Sequence, residues 1–302
     1  MSTQTMTSAP SDVLTGQVTV VTTDQWDDVQ EALGVVHDGF VEAGYMEEQS
    51  SRRRFITPYL NDGVAFSMAY VGDELAGVLA LMPDGAYGLP SDAAFRPEMD
   101  ALRATGRPLF ESGSLVVAAQ FRRHTRRILA GLVAANMRLF RETPGAIVVI
   151  STEPRQADFY GSLFGASPIS GEEDHYGAPA VLLSSEYPDM VEMMGQASTN
   201  GQRMISALVL TEEATWLVDR RRGERWPIDE VAMLMGQPIE AFRLPASDSQ
   251  AAASTSVEDR RAGSDRRNGV RGGDRRRHGG LAKLSIGTCK QVPLGYPRAQ
   301  FA

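Results

Sequence analysis

The chain has 302 residues, 42% hydrophobic and 23% charged, with a formal net charge of -8. That length suits about two domains with an ordinary core, while a lone cysteine, Cys289, excludes a disulfide framework and a cysteine-built zinc site. The four histidines do not fall at metal-ligand spacing, no apolar run is long enough for a membrane span, and residues 1–10 lack a secretory signal pattern, so a soluble cytoplasmic protein is expected.

Residues 1–15 are rich in Ser and Thr and are expected to be a mobile N-terminus. Residues 17–22 form a short β-branched run that predicts a strand. Asp24 is placed to cap a following helix, with Trp26, Val29, Leu33 and Val36 on one face and Gly44 at its end. Residues 64–71 and 74–82 predict a hairpin around Gly72 and Asp73. Residues 83–108 read as a loop with a short helix at 97–103. Residues 109–119 read as a strand broken near Gly113, since an isolated glycine in a strand marks a bulge. A basic turn follows, then a helix over 128–142 with Ile128, Leu132, Ala135 and Leu139 in a stripe. Residues 146–151 are fully apolar and predict a strand buried on both faces. Pro154 opens a helix over 156–164 that Gly165 closes, and 176–184 is a last strand. The alternation is that of an α/β fold.

Several residues carry chemistry. Arg122, Arg123, Arg126 and Arg127 stand where a strand ends and a helix begins. Unpaired N–H groups and the positive dipole end there suit a phosphate or an acidic protein, although such arginines also pair surface acids. Glu111, just before the expected break, can accept a proton, or it can simply face solvent. Tyr160 can donate to a leaving group or lie in the core, and Ser112 and Ser114 are polar bulge residues or donors. No Gly-x-Ser-x-Gly elbow, P-loop or G-x-G-x-x-G fingerprint is present. Arg52, Arg53 and Arg54 can clamp a carboxylate or remain solvated. Phe66, Met68 and Met82 can line an adaptable pocket or pack in the core.

The order of elements, together with certain phrases, resembles the GNAT acyltransferase superfamily. The phrases are Gly88-Leu89-Pro90 with Phe95 and Glu98, Leu102-Arg103 through Gly106-Arg107, Glu111-Ser112-Gly113-Ser114-Leu115, and Phe159-Tyr160 before Leu163-Phe164-Gly165. More narrowly, residues 17–187 resemble the long-chain N-acyl amino acid synthases, relatives of the acyl-homoserine lactone synthases. The resemblance implies a mixed, mostly antiparallel central sheet flanked by helices. It implies transfer of a fatty acyl group from an acyl carrier protein thioester to the amine of an amino acid, by direct attack. Glu111 would be the base, Tyr160 the acid for the thiolate, and Ser114 a further catalytic group on the bulge. Backbone groups near Val116 and Val117 would pair with the pantetheine arm, and Arg122, Arg123, Thr125 and Arg126 would meet the donor's phosphate. No metal and no tightly bound cofactor are implied, the acyl-phosphopantetheine thioester being a co-substrate. The superfamily's pyrophosphate loop is not matched, because its glycine falls on Thr125 and its small residue on Arg127. That favours a carrier protein over coenzyme A as donor.

The expected domains are the acyltransferase domain at 16–188, a small appendage at 189–245 and a low-complexity tail at 246–302. Residues 258–302 hold 11 basic and 4 acidic residues, and DRR recurs at 259–261, 265–267 and 274–276. The tail has too little apolar surface to fold alone. It can touch an anionic membrane peripherally or act as a solvated linker, and the lack of aromatics within 258–280 argues against nucleic acid. Two rival readings are a coenzyme A-dependent GNAT enzyme acting on a small amine or protein, and a non-catalytic acyl-binding or regulatory protein.

Overall fold

The computed structural model describes residues 18–210, 215–223 and 226–239, so the expectations for residues 1–15 and for the tail at 246–302 lie outside it. The strands are β1 Thr19–Thr23, β2 Ala65–Val71, β3 Glu74–Pro83, β4 Leu109–Val117, β5 Ile147–Thr152, β6 Ser167–Pro168, β7 Glu173–His175, β8 Ala178–Glu186 and β9 Leu217–Asp219. The helices are α1 Trp26–Ala43, α2 Arg96–Arg103, α3 Thr125–Arg141, α4 Ala157–Phe164, α5 Tyr187–Gly195, α6 Asn200–Leu210 and α7 Ile228–Met235. The sheet runs β6-β8-β5-β4-β3-β2-β1-β9, with β7 paired to β8. Only β4 with β5 and β1 with β9 pair parallel; the other pairs are antiparallel. No described helix is long and apolar enough to cross a membrane.

The apolar stripes sort the helices onto two faces of this sheet. One core holds Ile128, Leu132, Ala135 and Leu139 of α3 with Met190, Met194, Ile205 and Leu208 of α5 and α6. The other holds Val29, Leu33 and Val36 of α1 with Phe66, Met68 and Met82, which are therefore packing residues. Val148 and Ile150 of β5 join the first core and Ile147 and Val149 the second, as a doubly buried strand requires. The described part of 189–239 contributes to both layers: α6 packs on α3, β9 extends the sheet beside β1, and Val231 of α7 joins the α1 side.

Several local expectations move. Asp24 does not cap α1; Gln25 holds that position, and the buried Asp24 carboxylate accepts N–H bonds from Arg222 at 2.9 Å and Gly223 at 2.8 Å. Tyr176 is not in a strand. It forms the tip of the β7–β8 hairpin with Gly177, at φ 58 and 79, the two left-handed positions of a tight primed turn. α3 begins at Thr125, before the apolar stripe, after a 3-10 turn at Ala119–His124.

Gly39 lets α1 lie on β4. A Cβ there would stand 2.4 Å from Cγ1 of Val116, whose short branched side chain has little freedom to retreat. Gly39→Ala should therefore lower stability by about 1–2 kcal/mol, the overpacking cost exceeding the helix-propensity gain. Chemical denaturation checks this. Adding Val116→Ala should recover part of the loss, and strict additivity of the two changes would rule out the contact as its cause.

Candidate active site

β4 and β5 pair only from Leu109 opposite Ile147 to Glu111 opposite Val149. Yet β4 continues to Val117 and β5 to Thr152, so their ends are not paired with one another. The cause lies in β4. Its register against β3 shifts between Val78 and Ala80, and Ser114 takes the left-handed φ of 55. The bulge thus sits one residue beyond Gly113, and it bends the strand away from β5. Past it, the Ala118 N–H bonds the Ala76 carbonyl at 2.9 Å. Strand alternation then directs the peptide groups of Val117 toward the side β5 has left, and those of Val116 toward β3. Of the two expected pantetheine partners, Val117 is the one whose peptide groups face away from β3 by this geometry.

Glu111 lies where the two strands part and is 3% exposed. The Ser91 N–H donates to its Oε2 at 2.9 Å. Burial pushes the carboxyl up to about 7, against the pull of that N–H and of the Arg54 charge. A carboxyl poised there exchanges a proton near neutral pH. Ser91 is delivered by a 3-10 turn at Pro90–Ala93. The Asp92 carboxylate clamps that turn, accepting from the Leu89 N–H at 2.7 Å and from Arg103 at 2.6 and 2.7 Å. Arg103 also grips Asp84, beyond β3, at 2.7 and 2.8 Å.

Other polar groups gather on the same face of the sheet. The Ser114 hydroxyl and the buried Tyr59 hydroxyl share a 2.6 Å hydrogen bond. His175 lies at 2.7 Å from the Ser151 hydroxyl through Nδ1 and at 3.1 Å from the Pro90 carbonyl through Nε2. A carbonyl can only accept, so Nε2 carries the proton and Nδ1 accepts from Ser151. Burial, helped by the nearby Arg54 charge, lowers the His175 pKa and keeps the ring neutral. Its bonds to Pro90 and Ser151 join the turn carrying Ser91 to β5.

Tyr160 approaches from the α3 side, stacked on Phe164 with ring centroids 5.9 Å apart. Burial pushes its hydroxyl up to about 12, with the Thr152 hydroxyl pulling the other way. It is therefore a neutral donor at ordinary pH. On this side Ser112 accepts from Asn136 at 3.2 Å, beside an apolar void lined by Met137, Phe140, Ile150, Phe164 and Met190. The void, about 20 Å³, admits little more than one water, so an acyl chain entering it must move those side chains.

At the end of β4 the arginines surround the start of α3. Arg122 and Arg123 are on the 3-10 turn and Arg126 and Arg127 in the first helical turn. The Thr125 hydroxyl is turned back to the Arg122 carbonyl at 2.6 Å. Arg122 pairs with Glu42 at 2.7 Å, but both side chains are exposed, so little free energy holds that pair. Among the described residues no group of three or more His, Cys, Asp or Glu side chains could hold a metal ion.

The family model described as N-acyl amino acid synthase FeeM matches residues 31–186, more than half of the chain. The chain belongs to the FeeM N-acyl amino acid synthase family. As a member it is an N-acyltransferase, with the mixed sheet of the GNAT-like fold. The solved structure of FeeM, an N-acyl amino acid synthase from uncultured soil microbes, is similar at TM-score 0.51 and 24% identity, over 60% of this chain and 96% of that one. BjaI, a coenzyme A-dependent acyl-homoserine lactone synthase, is similar at TM-score 0.47 and 16% identity, over 72% and 99% of the two chains. An acyl-CoA N-acyltransferase from Pseudomonas aeruginosa is similar at TM-score 0.40 and 16% identity, over 56% and 99%. A search of curated protein sequences gives no match.

In this FeeM-family chain, then, Glu111 and Ser114 share one face with Tyr59, Arg54 and His175, and Tyr160 stands on the other. The arginines lie beyond the open end of β4. Sequence reasoning missed Tyr59, Ser91 and His175. The loop signature at Gly88-Leu89-Pro90 marked the neighbourhood of Ser91, but no local pattern joins His175 to Pro90.

Proposed function

We propose that this FeeM-family synthase moves a fatty acyl group from an acyl carrier protein thioester to the amine of an amino acid. The observation that carries the reading is Glu111, a buried carboxyl with its pKa near 7 at the point where β4 and β5 part. The thioester arm enters between the parted strands and pairs with the Val117 backbone. The amine nitrogen, relieved of a proton by Glu111 directly or through a water, attacks the thioester carbonyl. The C–S bond then breaks, and the thiolate leaves with a hydrogen bond or proton from Tyr160. The Ser114 hydroxyl, backed by Tyr59, lies on the bulge beside the carbonyl's path. A neutral hydroxyl with a raised pKa suits Tyr160 to hydrogen bonding at sulfur rather than to prior proton loss.

The arginines at the start of α3 receive the single phosphate of the phosphopantetheine and the acidic surface of its carrier. Coenzyme A carries further phosphates that need close backbone approach, and Thr125 and Arg127 stand where glycine and a small residue would permit it. The test is mass spectrometry of lipid extracts from cells expressing the chain, followed by in vitro transfer with carrier and coenzyme A thioesters of the same acyl group. New N-acyl amino acids, made faster from the carrier thioester, are expected. Equal or better use of the coenzyme A thioester would sink the donor assignment. Arg122→Glu with Arg126→Glu should raise the KM for the acyl carrier about tenfold or more at low salt, with the gap closing as salt is added. An unchanged carrier KM would remove the basic turn from donor recognition.

A further inference from the structure

The three arginines at 52–54 part company in the fold. Arg52 is exposed and pairs with Asp38 at 3.2 Å. Arg53 turns back to the Gln30 carbonyl at 3.3 Å. Arg54 turns inward: its guanidinium lies over the Phe40 ring at 4.3 Å and 5.8 Å from the Tyr176 ring centroid. Its Nη1 is shielded from solvent and has no hydrogen-bond acceptor. Among the described residues no carboxylate forms an ion pair with it, although Arg52 and Arg103 are both paired.

A guanidinium nitrogen withdrawn from water without an acceptor is a costly arrangement, relieved only in part by the nearby Tyr59 hydroxyl. The side chain is nonetheless held in place, with its backbone N–H on the Leu33 carbonyl at 3.1 Å and its plane against Phe40. Its charge acts on Glu111, Tyr59, His175 and Tyr176, so it stands inside the cluster around the proposed base. An α-amino acid presents a carboxylate and an amine on one carbon. The cluster offers a forked cation for the first and a proton acceptor for the second.

We propose that Arg54 binds the α-carboxylate of the acceptor amino acid, so that its amine is directed to Glu111. This inference rests on the acyltransferase reading above and specifies its acceptor class. The carboxylate supplies the acceptor that Nη1 lacks, and Tyr176, at the exposed tip of the β7–β8 hairpin, covers the pair. Arg54 is in this role a specificity-determining residue, since an amine without a carboxylate would leave the guanidinium unpaired.

The test is competitive in vitro transfer from acyl carrier thioesters of C8 to C16. The acceptors are the pooled 20 amino acids and the pooled amino acid amides, given to wild type, Arg54→Gln and Arg54→Lys. Wild type should acylate the acids at least 30-fold faster than the amides. Arg54→Gln should lose that preference through the KM for the acids, and its transfer to acids and amides should share one pH limb, moved upward because Glu111 has lost the Arg54 charge. Arg54→Lys should keep a cation but lose the fork, and so retain only part of the preference. Retained amide transfer also reports that the variants fold. A wild type that treats acids and amides alike, or an Arg54→Gln enzyme that still prefers acids, would overturn the Arg54 assignment and leave the acyltransferase reading standing. N-acylated product from neither pool with wild type would overturn the amino acid acceptor itself, and the inference with it.

Discussion

Glu111→Gln should abolish most of the acyl transfer while making the protein more stable above neutral pH. Gln retains an oxygen for the Ser91 N–H, so the turn at Pro90–Ala93 keeps its tether. The amide cannot take a proton from the attacking amine, and removing a general base costs about 10²–10⁴-fold in kcat/KM. The stability change has a definite sign. Burial raises the carboxyl from its ordinary 4.5 to about 7, so the folded state holds this proton more tightly than the unfolded state. Stability from that proton is present in full below about pH 4.5, declines as pH rises, and is lost beyond about pH 7. At pH 8 the wild type therefore carries an ionised, buried carboxylate that the variant does not. The variant should gain roughly 2–3 kcal/mol there and next to nothing at pH 4. Calorimetry across that range should show a gap in Tm of about 5–10 °C at the alkaline end. Wild-type transfer should rise through an apparent pKa near 7, the limb of an essential base. A Glu111→Gln protein no more stable at pH 8 than at pH 4, relative to wild type, would mean that Glu111 does not meet the low-dielectric surroundings invoked for it.

The second large effect concerns Arg103, which touches no substrate in the proposed reaction. Its guanidinium is 26% exposed and forks across Asp84 and the 9%-exposed Asp92. Taking it away leaves Asp84 without its cation and the nearly buried Asp92 with only the exposed Arg96, at 3.3 Å. Arg103→Met should cost about 2–3 kcal/mol, below the full penalty of a broken buried pair because solvent reaches part of the network. The same change should reach Glu111 indirectly. Asp92 holds the Leu89 N–H and so the turn that brings the Ser91 N–H to Glu111. With that donor displaced, the carboxylate loses stabilisation and its pKa climbs. The alkaline-rising limb of the pH profile should shift upward by about half a unit or more, and kcat at pH 7 should fall about twofold or more. A purely structural role would lower Tm without moving the limb. Arg103→Lys should not rescue either effect well, since one ammonium cannot bridge both carboxylates as a fork does. A lysine variant with wild-type Tm and pH profile would refute this account.

Much of the secondary structure was legible locally. The stripe at Ile128, Leu132, Ala135 and Leu139, the apolar run at 146–151, and the glycines closing α1 and α4 all stand as their spacing and backbone freedom require. These signals are written within a few residues of where they act. The place of Glu111 beside a strand irregularity was legible too, because an isolated glycine in a strand-like run is a local oddity.

What the tertiary structure alone decided is every property that depends on who stands opposite. A local reading assigned Asp24 to its own helix, but Arg222 and Gly223 supply two N–H donors from across nearly 200 residues. The bulge falls on Ser114 because β3 sets the register that β4 must leave. A run of three arginines looks uniform in sequence; in the fold one meets Asp38, one a backbone carbonyl and one the face of Phe40. The proton affinity of Glu111 is likewise no property of its phrase. It comes from removal of water by two layers of packing, offset by one N–H from Ser91 and a cation from Arg54. Periodicity and turn chemistry are short-range and can be read along the chain, whereas desolvation and charge act through space and exist only once distant segments have met.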